Sequence, residues 1–448
     1  MALAPIDDTI AAIATAPGIG AIGIVRISGP EALAVADAVF RPADGGRAAH
    51  ATDRVATFGR LQDGDAFLDE GLLLPFRAPR SYTGQDVVEL QLHGGPAVLR
   101  AVLDATLRAG ARPAGPGEFT LRAVVHGKLD LTRAEAVGAM IEARSDAARR
   151  QASIGLAGSL AHALGEAQTH LTSAYAHVVA ALDYPEEGVP DADVAAHVGE
   201  ARARLARLLG TAQAGRFAVQ GARMALVGRP NAGKSSLLNA LLGFERALVG
   251  PTPGTTRDYL EAPLELGRVS VTAIDTAGLR ATDDDVEAGG VARARALAGA
   301  ADVVVALVDG ARPLAAEDRA LVAELDPTRT VWVATKADLP HAWPDDALEV
   351  PILRMSSHDG SGLDALEAQI EARLLGDAAS EETWVTSERH ADALREAIAA
   401  LDRLPTVPHD LQGLDLETAL RALDRITGRG DVVETTLSEV FARFCVGK

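Results

Sequence analysis

The spacing of apolar residues changes character several times along the chain. Residues 9–15 and 21–28 are strand-like and joined by a Pro/Gly turn at 17–20. Residues 30–40 carry a helical pattern, and 86–93 alternates with the two-residue period of a strand. From 120 to about 215 the text is rich in Ala, Leu and Arg at i, i+3, i+4 spacing, which predicts long helices broken by a loop at 183–190. Short apolar runs at 224–227, 271–274, 303–308 and 331–334 then predict buried strands. Beyond 387 the pattern is helical again, interrupted at 404–408. The economical reading is a multidomain α/β and α chain. It has an N-terminal α+β domain at 1–120, a discontinuous helical domain at 121–219 and 378–448, and an inserted α/β domain of P-loop type at 220–377.

Composition narrows the class. A length of 448 residues predicts about two to four domains. Hydrophobic residues at 48% and charged ones at 23% mark a globular chain rather than a disordered one. No apolar run approaches the roughly 18 residues that cross a bilayer, and the first residues lack the basic start of a secretory signal. The single cysteine excludes an internal disulfide framework. A cytoplasmic protein without membrane contact is therefore expected. The net charge of −19 argues against indiscriminate nucleic-acid binding. Nearly all of that acidic excess lies beyond residue 150, so any RNA contact is expected on the front part.

The chemistry-bearing stretch begins where Met224-Ala-Leu-Val runs into Gly228-x-x-x-x-Gly233-Lys234-Ser235 and a helical pattern follows. Strand, glycine loop and helix in that order make a phosphate cradle. Backbone groups of Asn231, Ala232, Gly233, Lys234, Ser235 and Ser236 can surround phosphate oxygens, Lys234 can reach the β- and γ-phosphates, and Ser235 can ligate Mg2+. Val271-Thr-Ala-Ile-Asp275-Thr276-Ala277-Gly278 is a strand ending in an Asp that can hold Mg2+ through water, then a Gly for the γ-phosphate. Between them, Gly250-Pro251-Thr252-Pro253-Gly254-Thr255-Thr256 reads as a loop, with Thr256 as second Mg2+ ligand. Thr335-Lys336-Ala337-Asp338 is a base-reading box. The Asp338 carboxylate can accept from guanine N1–H and the exocyclic amine, a donor pair adenine lacks, so GTP is the expected nucleotide. Ser356, Ser357 and His358 are placed to close over the base. By contrast, Gly18-x-Gly20-x-x-Gly23 is followed by a strand rather than a helix and reads as a hairpin turn, not a dinucleotide site.

This order resembles the translation-factor-like branch of small GTPases. Asn231 and the 250–255 loop resemble the arrangement of members that use K+ in place of an arginine finger. The whole chain is similar to the MnmE (TrmE) tRNA-modification GTPases. The motifs are Ile24-Val-Arg26-Ile-Ser-Gly29, Ser81-Tyr-Thr-Gly-Gln-Asp-Val-Val-Glu89, Pro116-Gly-Glu-Phe-Thr120, Gly127-Lys128-Leu-Asp-Leu131, Asp275-Thr-Ala-Gly-Leu-Arg280 and Cys445-Val-Gly-Lys448.

That resemblance implies a homodimer formed through the N-terminal domain, which binds a reduced folate (5,10-methylene- or 5-formyl-tetrahydrofolate) at Arg26, Glu89, Lys128 and Lys448. Basic groups there suit the glutamate tail and a carboxylate suits the pterin edge. It implies an FAD-containing MnmG-type partner in a heterotetramer that modifies C5 of the wobble uridine of certain tRNAs. It also implies K+ at Asn231, Gly250, Thr252 and Thr255, with Lys234 and Asn231 assisting catalysis and Glu287 orienting water. Cys445 is a candidate for the tRNA chemistry. Thr335 stands where Asn is frequent; its hydroxyl can donate to guanine N7, but its short side chain leaves GTP affinity and loop support in question. A ribosome-assembly switch without modification chemistry is the competing reading.

Overall fold

A computed structural model of the chain describes residues 6–183, 191–246, 264–274, 296, 298–344, 346–430, 434–442 and 444–447. The chain forms two compact units, Met1–Gly138 with Asp424–Lys448, and Ala139–Leu423.

The first unit is built on β1 (Ile10–Ile13), β2 (Ile22–Ser28), β3 (Phe40–Pro42), β4 (Thr57–Asp63), β5 (Ala66–Phe76), β6 (Val87–His93) and β7 (Arg112–Pro113). They make one sheet in the order β3-β4-β5-β6-β2-β1-β7, antiparallel except where β1 meets β7. Alternation along each strand decides what its faces do. Val25 and Ile27 of β2, with Val88, Leu90 and Leu92 of β6, are buried with Val35, Ala36 and Val39 of α1 (Ala32–Val39) and Leu99 and Val102 of α2 (Pro96–Arg108). Each of these Val, Leu and Ile side chains contributes about 1.5–3 kcal/mol. Arg26 and Glu89 are left on the opposite face.

The β4–β5 hairpin has no counterpart among the sequence expectations. A register shift between Leu61 and Gln62 breaks its alternation, and its charged residues blur the rest. The sheet is followed by α3 (Glu118–Val125) and α4 (Leu131–Glu142). Arg122 of α3 is fully buried, paired with Asp8 at 2.6 Å and Glu118 at 2.9 Å, and Arg112 holds the same two carboxylates at 2.7 Å each.

In the second unit, α5 (Asp146–Leu156), α6 (Ser159–Asp183), α7 (Asp191–Gly210) and α8 (Ala212–Gln220) precede an α/β domain. Its sheet comprises β8 (Ala222–Gly228), β9 (Leu264–Leu266), β10 (Val269–Ile274), β11 (Val303–Asp309), β12 (Thr330–Thr335) and β13 (Ile352–Arg354). The order is β13-β12-β11-β8-β10-β9, parallel except for β9. Helices α9 (Lys234–Arg246), α10 (Ala316–Glu324) and α11 (Leu363–Leu375) alternate with these strands. β11 is apolar on both sides because Val303, Val305 and Leu307 enter one core and Val304 and Ala306 another.

The chain then returns through α12 (Glu388–Arg403) and α13 (His409–Thr427), separated by a turn at Leu404–Thr406. Asp402 of α12 pairs with Arg202 of α7 at 2.5 Å, and Val385 N–H donates to Thr211 Oγ1 at 3.0 Å. The helical region is thus interrupted by the α/β domain and closes on itself. Finally α14 (Glu434–Phe441) brings Val440 and Phe441 onto Leu121, Leu131 and Ala134 of the first unit.

Candidate functional site

The glycine loop lies where the strand order reverses. β8 is flanked by β10 and β11, and successive strands leave it toward opposite edges, so its carboxyl end opens on a crevice. Gly228 ends β8 with φ 151°, and a Cβ there would lie 2.5 Å from the Leu307 carbonyl oxygen. Asn231 holds the left-handed φ of 63°, which a short polar side chain tolerates. Lys234 opens α9 and donates its Nζ to the carbonyls of Gly228 at 2.8 Å and Arg229 at 2.7 Å. Burial holds its ammonium below the usual lysine pKa. Ala232 is buried beneath the loop, and Ser235 and Ser236 are exposed at the helix start.

The residues expected to read the base reach the same end of the sheet. Thr335 ends β12, buried, with its hydroxyl 2.9 Å from the Ala232 carbonyl and 3.2 Å from that of Val308. A hydroxyl has one proton, and here it is committed to backbone carbonyls. In this arrangement the Thr335 hydroxyl joins the glycine loop to the end of β11. Lys336, at φ 61°, pairs with Asp309 at 2.6 Å. Asp338 accepts from Ser356 Oγ at 2.6 Å, and Ser356 Oγ accepts from the His358 N–H at 3.1 Å. Asp338, Ser356 and His358 are therefore gathered, with Ser357 in the same turn. Asp309 was not singled out from the sequence, although it is the acidic terminus of an apolar run.

Gly250, Pro251, Thr252, Pro253, Gly254, Thr255 and Thr256 lie outside the described residues, as do Asp275, Thr276, Ala277, Gly278, Glu287 and Lys448.

A second basic site occurs in the first unit. Arg26 and Glu89 are direct cross-strand neighbours, with Arg26 Nη2 and Nε donating to Glu89 Oε1 at 2.8 and 3.0 Å. They were expected to meet separate ends of a ligand; here they neutralise each other, because register sets them side by side. Glu89 faces Leu74 across β5, and Leu74 lines a cleft of about 480 Å³ with Arg54, Arg80, Tyr82 and Lys128. Lys128 Nζ donates to the Pro79 carbonyl at 3.0 Å, and Arg80 pairs with Asp53 at 3.0 Å. Burial pushes the Tyr82 phenol up in pKa, against its 2.9 Å bond to Thr120 Oγ1. The Arg26 guanidinium lies 5.9 Å from the Tyr82 ring centre and 5.6 Å from that of Phe119.

Arg54 and Arg80 are absent from the sequence candidates. Arg80 adjoins the Ser81-Tyr motif and was findable; Arg54 sits in a stretch without pattern. Cys445 is exposed. Its carbonyl accepts from Gly117 N–H at 3.2 Å, and Val446 bridges to Pro116, so the terminal segment lies along the loop that leads into α3.

Two family models match the chain. The "GTP-binding protein TrmE N-terminus" covers residues 9–128 and the "MnmE helical domain" covers 131–445. A tRNA modification GTPase MnmE of Thermus thermophilus is 49% identical over 443 residues, spanning 99% of this chain and 100% of its own. The corresponding protein of Symbiobacterium thermophilum is 44% identical over 457 residues, at 99% and 100%. Among solved structures, the G domain of the T. maritima FeoB iron transporter aligns with 34% of this chain and 98% of its own at 27% identity. Its TM-score of 0.25 is too low to carry weight, and the α/β topology rests on the strand order above.

Proposed function

The chain belongs to the MnmE family of tRNA modification GTPases, and from that membership we propose how its parts divide the work. It is a GTP hydrolase acting in tRNA modification. The observation that carries this at the residue level is the joining of the phosphate loop to the base box through Thr335 and Ala232, with Asp338 already oriented by Ser356. In the reaction, Lys234 exchanges its two carbonyl partners for the β- and γ-phosphates. The Asp338 carboxylate accepts from the guanine edge, and Glu287 orients the attacking water. Ser235 and Thr256 hold Mg2+, assisted by Asp275, and Asn231 with Gly250, Thr252 and Thr255 holds K+. These cations supply positive charge where it develops on the phosphates. The exposed Ser235 hydroxyl and the outward Asn231 fit that assignment.

We assign the cleft of the first unit to a reduced folate. Lys128, Arg80 and Arg54 suit a polyanionic tail, Tyr82 suits a flat ring, and Lys448 and Cys445 belong to the terminal segment that Pro116 and Gly117 hold through Val446 and Cys445. Arg26 and Glu89 act as a paired wall. The same sheet face carries the cross-strand pair Phe58 and Leu72, 53% and 37% exposed, which suits a second copy of the chain. Homodimerisation there, an FAD-containing MnmG-type partner, wobble-uridine modification and a cytoplasmic location complete the proposal. The four-part division at 1–120, 121–219, 220–377 and 378–448 remains its domain scheme. Among the described residues no helix is long and apolar enough to cross a membrane.

GTP turnover in KCl against NaCl at equal ionic strength tests the cation assignment; equal rates remove it. Asp338→Asn should abolish both GTP selectivity and tRNA modification with the FAD partner. Retained modification would refute the coupling of the two.

A further inference from the structure

Lys336 holds the left-handed φ of 61°, a region that residues with a Cβ mostly avoid. That single reversal turns the chain out of β12. Beyond it, the Ala337 N–H donates to the Met355 carbonyl and the Leu339 N–H to the Lys336 carbonyl, each at 3.0 Å. Asp338 is thereby delivered to Ser356 Oγ at 2.6 Å. A residue in so sparse a backbone region persists only where its surroundings over-determine it.

The constraint on Lys336 comes from the neighbouring strand. Asp309 ends β11 opposite Thr335 in the parallel register, and its Oδ2 accepts from Lys336 Nζ at 2.6 Å. The two side chains are only 15% and 33% exposed, so salt screens the pair less than a surface one. Asp309 is itself fixed. Its Oδ1 accepts from the Ala311 N–H at 3.0 Å and its carbonyl from Trp343 Nε1 at 3.2 Å. The next residue keeps the strands close. Gly310 N–H donates to the Thr335 carbonyl at 3.0 Å, and a Cβ at Gly310 would stand 2.6 Å from that oxygen. Arg312 approaches Asp309 Oδ2 only to 3.7 Å and is mostly exposed.

We propose, resting on the reading of 335–338 as the base box, that Asp309 is a positioning residue for guanine nucleotides. By holding Lys336 Nζ, its carboxylate keeps the turn left-handed before nucleotide arrives. Without that hold the turn relaxes toward commoner backbone conformations, and only the fraction still left-handed presents Asp338 to the base. The apparent dissociation constant rises by the inverse of that fraction. GTP and GDP carry the same base, so both weaken alike.

Asp309→Asn keeps an acceptor for Ala311 and removes the charge from Lys336. By titration calorimetry on the full chain, its GTP and GDP dissociation constants should both rise about tenfold, which is about 1.4 kcal/mol. In a Lys336→Met background the same substitution should add nothing further, because the two residues act as one unit. A lower thermal midpoint with unchanged affinities makes Asp309 merely structural and overturns the proposal. So does an equal loss with and without Lys336. Should Asp309→Asn misfold, Asp309→Ser replaces it in the same cycle. Asp338→Asn separates this inference from the reading beneath it. If that protein still prefers guanine over xanthine nucleotides, the base box is misassigned and both fall. If the preference is lost while Asp309→Asn binds as wild type, only the role of Asp309 falls.

Discussion

The N-terminal cleft and the phosphate loop both gather positive charge, yet they hold it in opposite ways. Around the cleft two of the arginines are tied to carboxylates, Arg26 beside it to Glu89 and Arg80 in it to Asp53, while Lys128 donates to the Pro79 carbonyl. In the loop, Lys234 is tied only to carbonyls of its own turn. A phosphate can replace a carbonyl contact with a stronger one, because charge-assisted bonds to an anion are the better of the two. An anion that displaced Glu89 from Arg26 would strand the Glu89 carboxylate. The cleft is therefore a preformed wall and the loop an exchangeable grip.

The strongest way to break the preformed side is at its root. Arg122→Ala removes a fully buried guanidinium from the Asp8–Glu118–Arg112 network and should cost about 3–5 kcal/mol of the first unit's stability. A denaturant melt followed by a probe in that unit checks it, and GTP binding should persist under conditions where the unit still folds. Acid attacks the same network. Bonds to Arg112 hold the Asp8 carboxyl below its ordinary value of 3.8. For Glu118, burial acts upward, but the bonds from Arg112, Gly115 and Arg122 outweigh it and leave it below 4.5. Both carboxylates bind protons more readily unfolded. Their stabilisation is complete above those ordinary values and is lost as pH falls through the lower folded ones. Melting midpoints should fall below about pH 4.5, and less so in the Glu118→Gln protein.

On the exchangeable side, Lys234→Ala should lower single-turnover GTP hydrolysis by about 10²–10³-fold, the usual cost of losing one donor to developing charge. Folate binding, measured by ligand fluorescence quenching, should not change. A loss of both would mean that the two sites are not separate devices.

How far the sequence revealed this contrast follows from where each site keeps its information. The phosphate loop and base box are contiguous words: Gly228 to Ser235 and Thr335 to Asp338 each carry their own geometry, so they were legible. So were the runs of β8, β11 and β12, because strands buried on both faces are apolar throughout. The cleft is assembled across the sheet. Arg26 and Glu89 were picked out through family motifs, but their pairing depends on register, which no local pattern expresses. Arg54 reaches the cleft from an unpatterned stretch, and the bulged β4–β5 hairpin escaped because its period slips at Leu61.

Thr335 gives the smallest and sharpest test, since it joins a fixed strand to the exchangeable loop. Its hydroxyl lies between the carbonyls of Ala232 and Val308, one in the loop and one at the end of β11. Thr335→Val keeps the shape and removes the proton. The Ala232 carbonyl then loses its partner in a buried place, which costs about 1 kcal/mol and loosens the loop rather than the domain. GTP affinity should fall by about fivefold at that cost, with guanine-over-adenine preference intact because Asp338 and Ser356 are untouched. If Thr335 instead reads N7 directly, the same substitution should weaken GTP and leave affinity for a 7-deaza-GTP analogue unchanged. Equal weakening of both nucleotides assigns the residue to the loop, and a difference between them assigns it to the base.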